Sequence, residues 1–278
     1  MLVKVVTDSA ADVPARIAGE LGITVVPVQV HLGDEVYRDG VDLATDDFYA
    51  RLRTDSVLPR TSAPSPGTFA EVYRRLAEGA DAIISVHVAG NLSATLDAAR
   101  LGSADLDFPI SLVDSRTASM ACGLLAIMAA KAAKGGAGLA EIEAMLNDAI
   151  PRTITYGVFS TLEYLLRGGR IGRAQAFLGS VLKLSPILAI RLGEIVPVAR
   201  VRTRRKAVDR LVEILLAGGV PEEMAVMRTT DPADAEALAR RLSPLYLPER
   251  MYRASIGPGM ATYVGPDAVG AAVVWKGG

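Results

Sequence analysis

The stretch SVHVAGNLSATLDAA, residues 85–99, changes character halfway along. It opens as an apolar strand, breaks at Gly90-Asn91 and resumes as a helix with two hydroxyls, Ser93 and Thr95, near its first turn. The first N–H groups of a helix lack internal partners, and the aligned peptide dipoles place partial positive charge there, so this junction suits an anion. It equally suits a self-contained cap, in which Ser93 or Thr95 accepts a backbone N–H. Hydroxyl-bearing turns recur at Thr7-Asp8-Ser9, Thr61-Ser62 and Asp114-Ser115. If they converge with Ser93 and Thr95 at one rim, they offer an anion several short donors, although Ser and Thr are also ordinary turn residues. Asn91-Leu92-Ser93 spells a glycosylation acceptor as well, a reading that requires secretion.

Other chemistries lack their residues. His31 and His87 are the two histidines, both inside strand-like runs, and Cys122 is the one cysteine, so no disulfide or metal cage is expected. The chain contains no GxSxG elbow, no GxxxxGK[ST] loop and no HExxH, and RGGRIG at 167–172 lacks dinucleotide-loop spacing. A nucleophilic Ser93 needs a base, and His87 lies six residues earlier on a different element.

The elements that must position these turns are legible in outline. Half of the 278 residues are hydrophobic but only 5% are aromatic, an aliphatic composition typical of helix-covered parallel sheets. VKVVTDSAADVP leads to ARIAGELG, ITVVPVQVHL follows, DAIISVHVAGNLSAT leads to LDAARL, and FPISLVDSRTAS leads to an Ala/Met/Leu helix near 118–134. Strands alternating with helices predict an α/β fold, with ligands beyond the carboxyl ends of the strands. Ser65 and Pro66 are placed as N-cap and first residue of a helix. Pro151 marks a domain boundary, giving an N-terminal α/β domain (1–150) with a mostly parallel sheet and a C-terminal α+β domain (151–278) with its own sheet. MLVKVVTDS reads as a strand, and the apolar stretch 120–130 is too short to span a bilayer, so a cytoplasmic protein without stable membrane insertion is expected.

Charge divides along the same line. Residues 1–150 carry 12 Lys/Arg against 20 Asp/Glu, net −8, and residues 151–278 carry 18 against 11, net +7. The halves could attract one another across a cleft, or the basic half could dock an acidic or phosphate-bearing partner. Arg167, Arg170 and Arg173 flank the double glycine, and RVRTRRKA adds Arg200, Arg202, Arg204, Arg205 and Lys206. An overall charge of −1 and scarce aromatics argue against nucleic acid.

Several segments together resemble the DegV family of fatty-acid-binding proteins across nearly the whole chain. They are TDSAADVP (7–14), TSAPSPGTF (61–69), NLSAT (91–95), VDSRTASMACG (113–123), TLEYLLRGGRIGR (161–173), LKLSPIL (182–188), VRTRRKA (201–207) and YVGPDAVG (263–270). The resemblance implies a carrier that buries one long-chain fatty acid between two domains. It implies further that a separate ATP-dependent fatty acid kinase receives the carboxylate for acyl-phosphate formation, the carrier having no catalytic residues, no ATP site and no cofactor of its own. On this analogy the ligand site comprises Thr61, Ser62, Asn91, Leu92, Ser93, Ala94, Thr95, Arg170, Tyr263 and Gly265, with Thr61 and Ser93 on the carboxylate. Arg167, Arg170, Arg173 and Arg202 would face the kinase or the mouth. The chain departs from the family pattern at Tyr263, where a histidine is usual, and at Ala63, Ala94 and Asp267. The run Phe177–Ile190 is a candidate tunnel wall. The alternative is an enzyme acting on a small acyl or phosphorylated substrate at the same turns, with Arg170 as anion clamp.

Overall fold

The computed structural model describes residues 1–54, 58–177 and 184–277. In chain order the first part runs β1 (Val3–Asp8), α1 (Ala15–Leu21), β2 (Ile23–Val26), β3 (Gln29–Leu32), β4 (Glu35–Arg38), α2 (Thr45–Thr54), β5 (Arg60–Ser62), α3 (Pro66–Ala77), β6 (Ala82–His87), α4 (Thr95–Ser103), β7 (Ile110–Asp114), α5 (Met120–Lys134) and α6 (Leu139–Ala149). After a turn at Ile150–Arg152 come β8 (Thr153–Val158), α7 (Glu163–Arg167), β9 (Ile187–Arg191), β10 (Glu194–Ala199), α8 (Arg204–Leu216), β11 (Pro221–Arg228), α9 (Pro232–Arg241), β12 (Tyr252–Ser255), α10 (Pro258–Val264) and β13 (Val269–Trp275).

The described strands form three sheets. One is parallel, ordered β2-β1-β6-β7; one has six strands, ordered β10-β9-β8-β13-β11-β12 and antiparallel except at β11–β12; a small antiparallel sheet has the order β4-β3-β5. Period-two alternation explains how the two larger sheets are packed. In β1, Val3 and Val5 face an inner core while Val6 faces an outer one; in β13, Ala272 and Val274 face inward while Val269, Ala271 and Val273 face outward.

The inner core is organised by α5. Its MACGLLAIMAA segment is apolar all round, as a fully enclosed helix must be, and Met120 to Ala130 are all buried. On one side α5 packs against β1, β2 and β6 and on the other against β8, β11 and β13, so both sheets share one core. Helices α3 and α4 cover the outer face of the parallel sheet, and α8 and α9 cover that of the six-stranded sheet.

Local signals account for several boundaries. Ser65 caps α3, its hydroxyl accepting from Thr68 N at 3.1 Å with Pro66 in the first turn, and Asp231 caps α9 through Ala233 N at 2.9 Å. The run ITVVPVQVHL is divided at Pro27, which has no N–H for a ladder: residues before it join the parallel sheet through β1, and residues after it leave for the small sheet. That departure matters for the site, because β3 then holds β5, with Thr61 opposite Val30 and Ser62 opposite Gln29. Among the described residues, no helix is long and apolar enough to cross a membrane.

Candidate functional site

A cavity of about 360 Å³ lies beyond the carboxyl ends of β1 and β6. Ala10 and Val88, which follow those strands, form its floor; β8, β9 and β13 supply a wall; α10 lies along another side. Its size falls within the range of small-molecule pockets, roughly 300–1,000 Å³. The lining is mostly apolar, and much of the room comes from small residues, Ala10, Ala118, Gly157, Ala189, Ala268 and Gly270. Larger aliphatics, among them Leu92, Leu188, Ile190 and Ile195, fill in toward the mouth.

The mouth is polar and drawn from distant segments. Thr61 Oγ1 and Tyr263 OH share a hydrogen bond of 2.6 Å across 202 residues of sequence. The Arg170 guanidinium lies 5.1 Å from the centre of the Tyr263 ring, a cation–π stack, and donates from Nε to Leu92 O (3.2 Å) and from Nη1 to Gly168 O (2.8 Å). Ser93 Oγ bonds Thr95 Oγ1 at 2.9 Å and accepts from Thr95 N at 3.3 Å. The N-cap of α4 is Ala94, whose methyl cannot cap it; Ser93, one residue earlier, holds Thr95 N and is also a wall residue. One hydroxyl proton of each pair is spent within the pair, which leaves one O–H per pair to donate elsewhere. With Arg170 Nη2, which has no protein partner among the described residues, the mouth offers at least three donors to an anion.

Seven of the ten expected ligand residues line the cavity: Thr61, Ser62, Leu92, Ser93, Ala94, Arg170 and Tyr263. The other three do not. Asn91 is exposed on a neighbouring groove, where its side chain closes on Gly193 of the β9–β10 turn. Thr95 is fully buried behind Ser93. Gly265 ends α10 at φ +73°, and a Cβ there would stand 2.3 Å from Tyr164 Cδ2, so glycine is required for packing on α7.

Of the four arginines expected at the mouth or partner face, Arg170 alone reaches the cavity. Arg167 pairs with Glu163 at 2.6 Å, Arg173 with Glu194 at 3.4 Å beside the mouth, and Arg202 is exposed in the turn before α8. Asp267 turns away from the cavity at φ +60°; it accepts from Thr230 Oγ1 at 2.8 Å and lies 3.7 Å from Arg53. From the candidate wall run, Leu188, Ala189 and Ile190 line the cavity, Phe177 lies under Arg200 instead, and 178–183 fall outside the described residues.

The convergence of hydroxyl turns is partial. Thr61, Ser62 and Ser93 reach the wall, whereas Asp114 braces a turn through Arg116 N at 2.8 Å and Ser115 is buried. Asp8 serves His87 instead. Asp8 Oδ2 lies 2.8 Å from His87 Nδ1, His87 Nε2 2.7 Å from Ser85 Oγ, and Ser85 Oγ 2.9 Å from Tyr73 OH. This order matches an acid–base–nucleophile array, but all four residues are fully buried and none borders the cavity, so it ties α3 to the sheet and cannot meet a substrate. His87 therefore does not serve Ser93 as a base.

Two features of the cavity were not readable from the hydroxyl turns. Ser119 and Thr155 also line it, their hydroxyls donating outward to Asp12 Oδ2 (2.5 Å) and Ala118 O (3.0 Å). Burial pushes the Asp12 carboxyl well above the usual carboxylate range, against the lowering effect of its bonds from Ser119 and Gly257 N. Among the described residues no group of three or more His, Cys, Asp or Glu is placed to hold a metal.

Comparisons agree over the whole length. A family model described as "Uncharacterised protein, DegV family" matches residues 2–276. A DegV domain-containing protein of Streptomyces coelicolor is 39% identical over 276 residues, covering 98% of each chain. The solved structure titled "Fatty Acid Binding of a DegV family Protein from Thermus thermophilus" superposes with a TM-score of 0.91 at 32% identity, over 99% of this chain and 100% of that one. DegV of Bacillus subtilis, described as a fatty acid binding protein, gives a TM-score of 0.90 at 32% identity with the same coverage. With a family match from end to end and relatives above 30% identity, this chain belongs to the DegV family.

Proposed function

We propose that the protein is a non-catalytic carrier that encloses one long-chain fatty acid and presents its carboxylate to a separate ATP-dependent kinase for acyl-phosphate formation. The observation that carries this reading is the pairing of an apolar, small-residue cavity with a mouth of unspent donors at Thr61–Tyr263, Ser93 and Arg170. Burying about sixteen methylenes at about 0.8 kcal/mol each offers on the order of 13 kcal/mol before association costs, so the chain supplies affinity. The head group needs only a few placed donors, because an unpaired carboxylate at a buried mouth is expensive. The fatty-acid-binding descriptions of the Thermus and Bacillus relatives support the same ligand class.

In this reading Arg173, Gly169, Gly193 and Asn91, which border the groove outside the mouth, are where an incoming kinase meets the carboxylate. The test is reconstitution. The isolated protein with ATP and oleate should form no acyl-phosphate, and addition of a fatty acid kinase subunit should produce it in proportion to carrier. Acyl-phosphate formed without the second subunit would contradict the reading.

A further inference from the structure

One row of residues crosses the wall that the six-stranded sheet gives the cavity. Leu188 of β9 stands opposite Gly157 of β8, Gly157 opposite Gly270 of β13, and Gly270 opposite Met227 of β11. Directly opposed residues share a face of a sheet, and all four line the cavity. At about 4.8 Å per strand, Leu188 and Met227 stand roughly 14 Å apart, and neither residue between them has a side chain. The row is therefore a trough that runs across the strands. Glycine is required at 270, where a Cβ would stand 2.3 Å from Tyr156 O, and the Phe159 ring flanks the trough at Gly157.

The trough has a direction. Its Leu188 end packs with Ile195, and with Leu92 and Tyr263 of the mouth. Its other end is closed by Met227, which is 2% exposed. Past Met227 the row continues to Ala254 of β12, which is buried in the inner core and does not line the cavity. The Met227 side chain lies across this closed end: its Cε is 3.3 Å from where a Cβ on Gly270 would stand, and its Sδ is 3.3 Å from Ser119 Oγ. An unbranched thioether adjusts its torsions to what it meets, so its methyl is a yielding surface rather than a hard wall.

Resting on the fatty-acid reading above, we propose that Met227 is the end stop of the acyl channel and sets the longest chain the protein accepts. With the carboxylate held at the mouth, the chain lies in the Gly157–Gly270 trough and its terminal methyl meets the Met227 side chain. Each further methylene then has to displace Met227 instead of burying itself in free space, so affinity rises with chain length up to a limit and falls beyond it.

The test titrates delipidated protein with a series of straight-chain saturated fatty acids, each longer than the last by two carbons, and reads the length at which affinity stops rising. Met227→Ala should move that limit to a longer acid, with the first acid beyond the wild-type limit gaining about tenfold, the worth of burying two more methylenes. Met227→Phe should move it to a shorter acid. Circular dichroism identifies the folded variants, and Met227→Val, which suits a strand, stands in for the Ala variant with a shift in the same direction. A limit that stays at the wild-type length in the smaller and the larger variant, or that moves the same way in both, overturns the stop and leaves the fatty-acid reading standing. Failure of folded wild-type protein to bind any acid of the series overturns the fatty-acid reading, and the stop with it.

Discussion

At the residue scale the mouth depends on hydroxyl protons that one partner uses and the other leaves free. Tyr263→Phe keeps the ring under Arg170 but removes the 2.6 Å bond to Thr61. A hydrogen bond to a charged group contributes about 1.5–3 kcal/mol, so fatty acid affinity should fall by roughly ten- to a hundredfold, measured by titration of delipidated protein. An unchanged affinity would remove Tyr263 from the carboxylate. Asp12 yields a stability experiment. Its carboxyl is raised in the folded state relative to 3.8, so as pH climbs above 3.8 the unfolded chain releases this proton first and stability falls until the folded group also ionises. Asp12→Asn should flatten that fall, as read from urea midpoints between pH 4 and 8; a variant as pH-dependent as wild type would contradict the assignment. Ser93, Thr61 and Arg170 stand out in the sequence because they sit in hydroxyl-rich or glycine- and arginine-rich segments, although Thr61 lies in strand β5 rather than in the expected turn. Ser119 and Thr155 do not, because only the packing of α5 against β8 shows that they line the cavity.

At the element scale, strand and helix order was legible wherever alternation was clear and caps were standard, as at Ser65-Pro66 and Asp231-Pro232. Ser65→Ala should cost about 1 kcal/mol of stability by removing the Thr68 N–H acceptor, while fatty acid affinity stays unchanged, since α3 packs on the outer face of the parallel sheet. A large affinity loss would mean that α3 transmits strain to Thr61. The split of residues 23–32 between two sheets was not legible, because an apolar run states burial and not which sheet receives it. The local sign is Pro27, and its effect on Thr61 becomes visible only once β5 is seen paired to β3. Asn91, Thr95 and Gly265 show the opposite limit. They sit in segments that build the site, yet they pack behind or beside it.

At the scale of the whole molecule, one apolar helix is held between two sheets, and the cavity opens where those sheets approach one another beyond β1 and β6. The ligand on this account completes the core at that point, so it should stabilise the fold by mass action, by about 2.7 kcal/mol at a hundred times Kd. At roughly 2–4 °C per kcal/mol for a chain of this order of size, delipidated protein should melt on the order of 5–10 °C below the loaded form. Equal melting temperatures with and without fatty acid would contradict binding of fatty acid to the folded protein.

The most direct test of the central claim is the mass spectrum of an organic extract of the purified protein. The account expects close to one long-chain fatty acid per chain, with Arg170→Ala and Ser93→Ala reducing the amount retained. A protein that yields no acyl chain, and that takes up none when fatty acids are added, would contradict it.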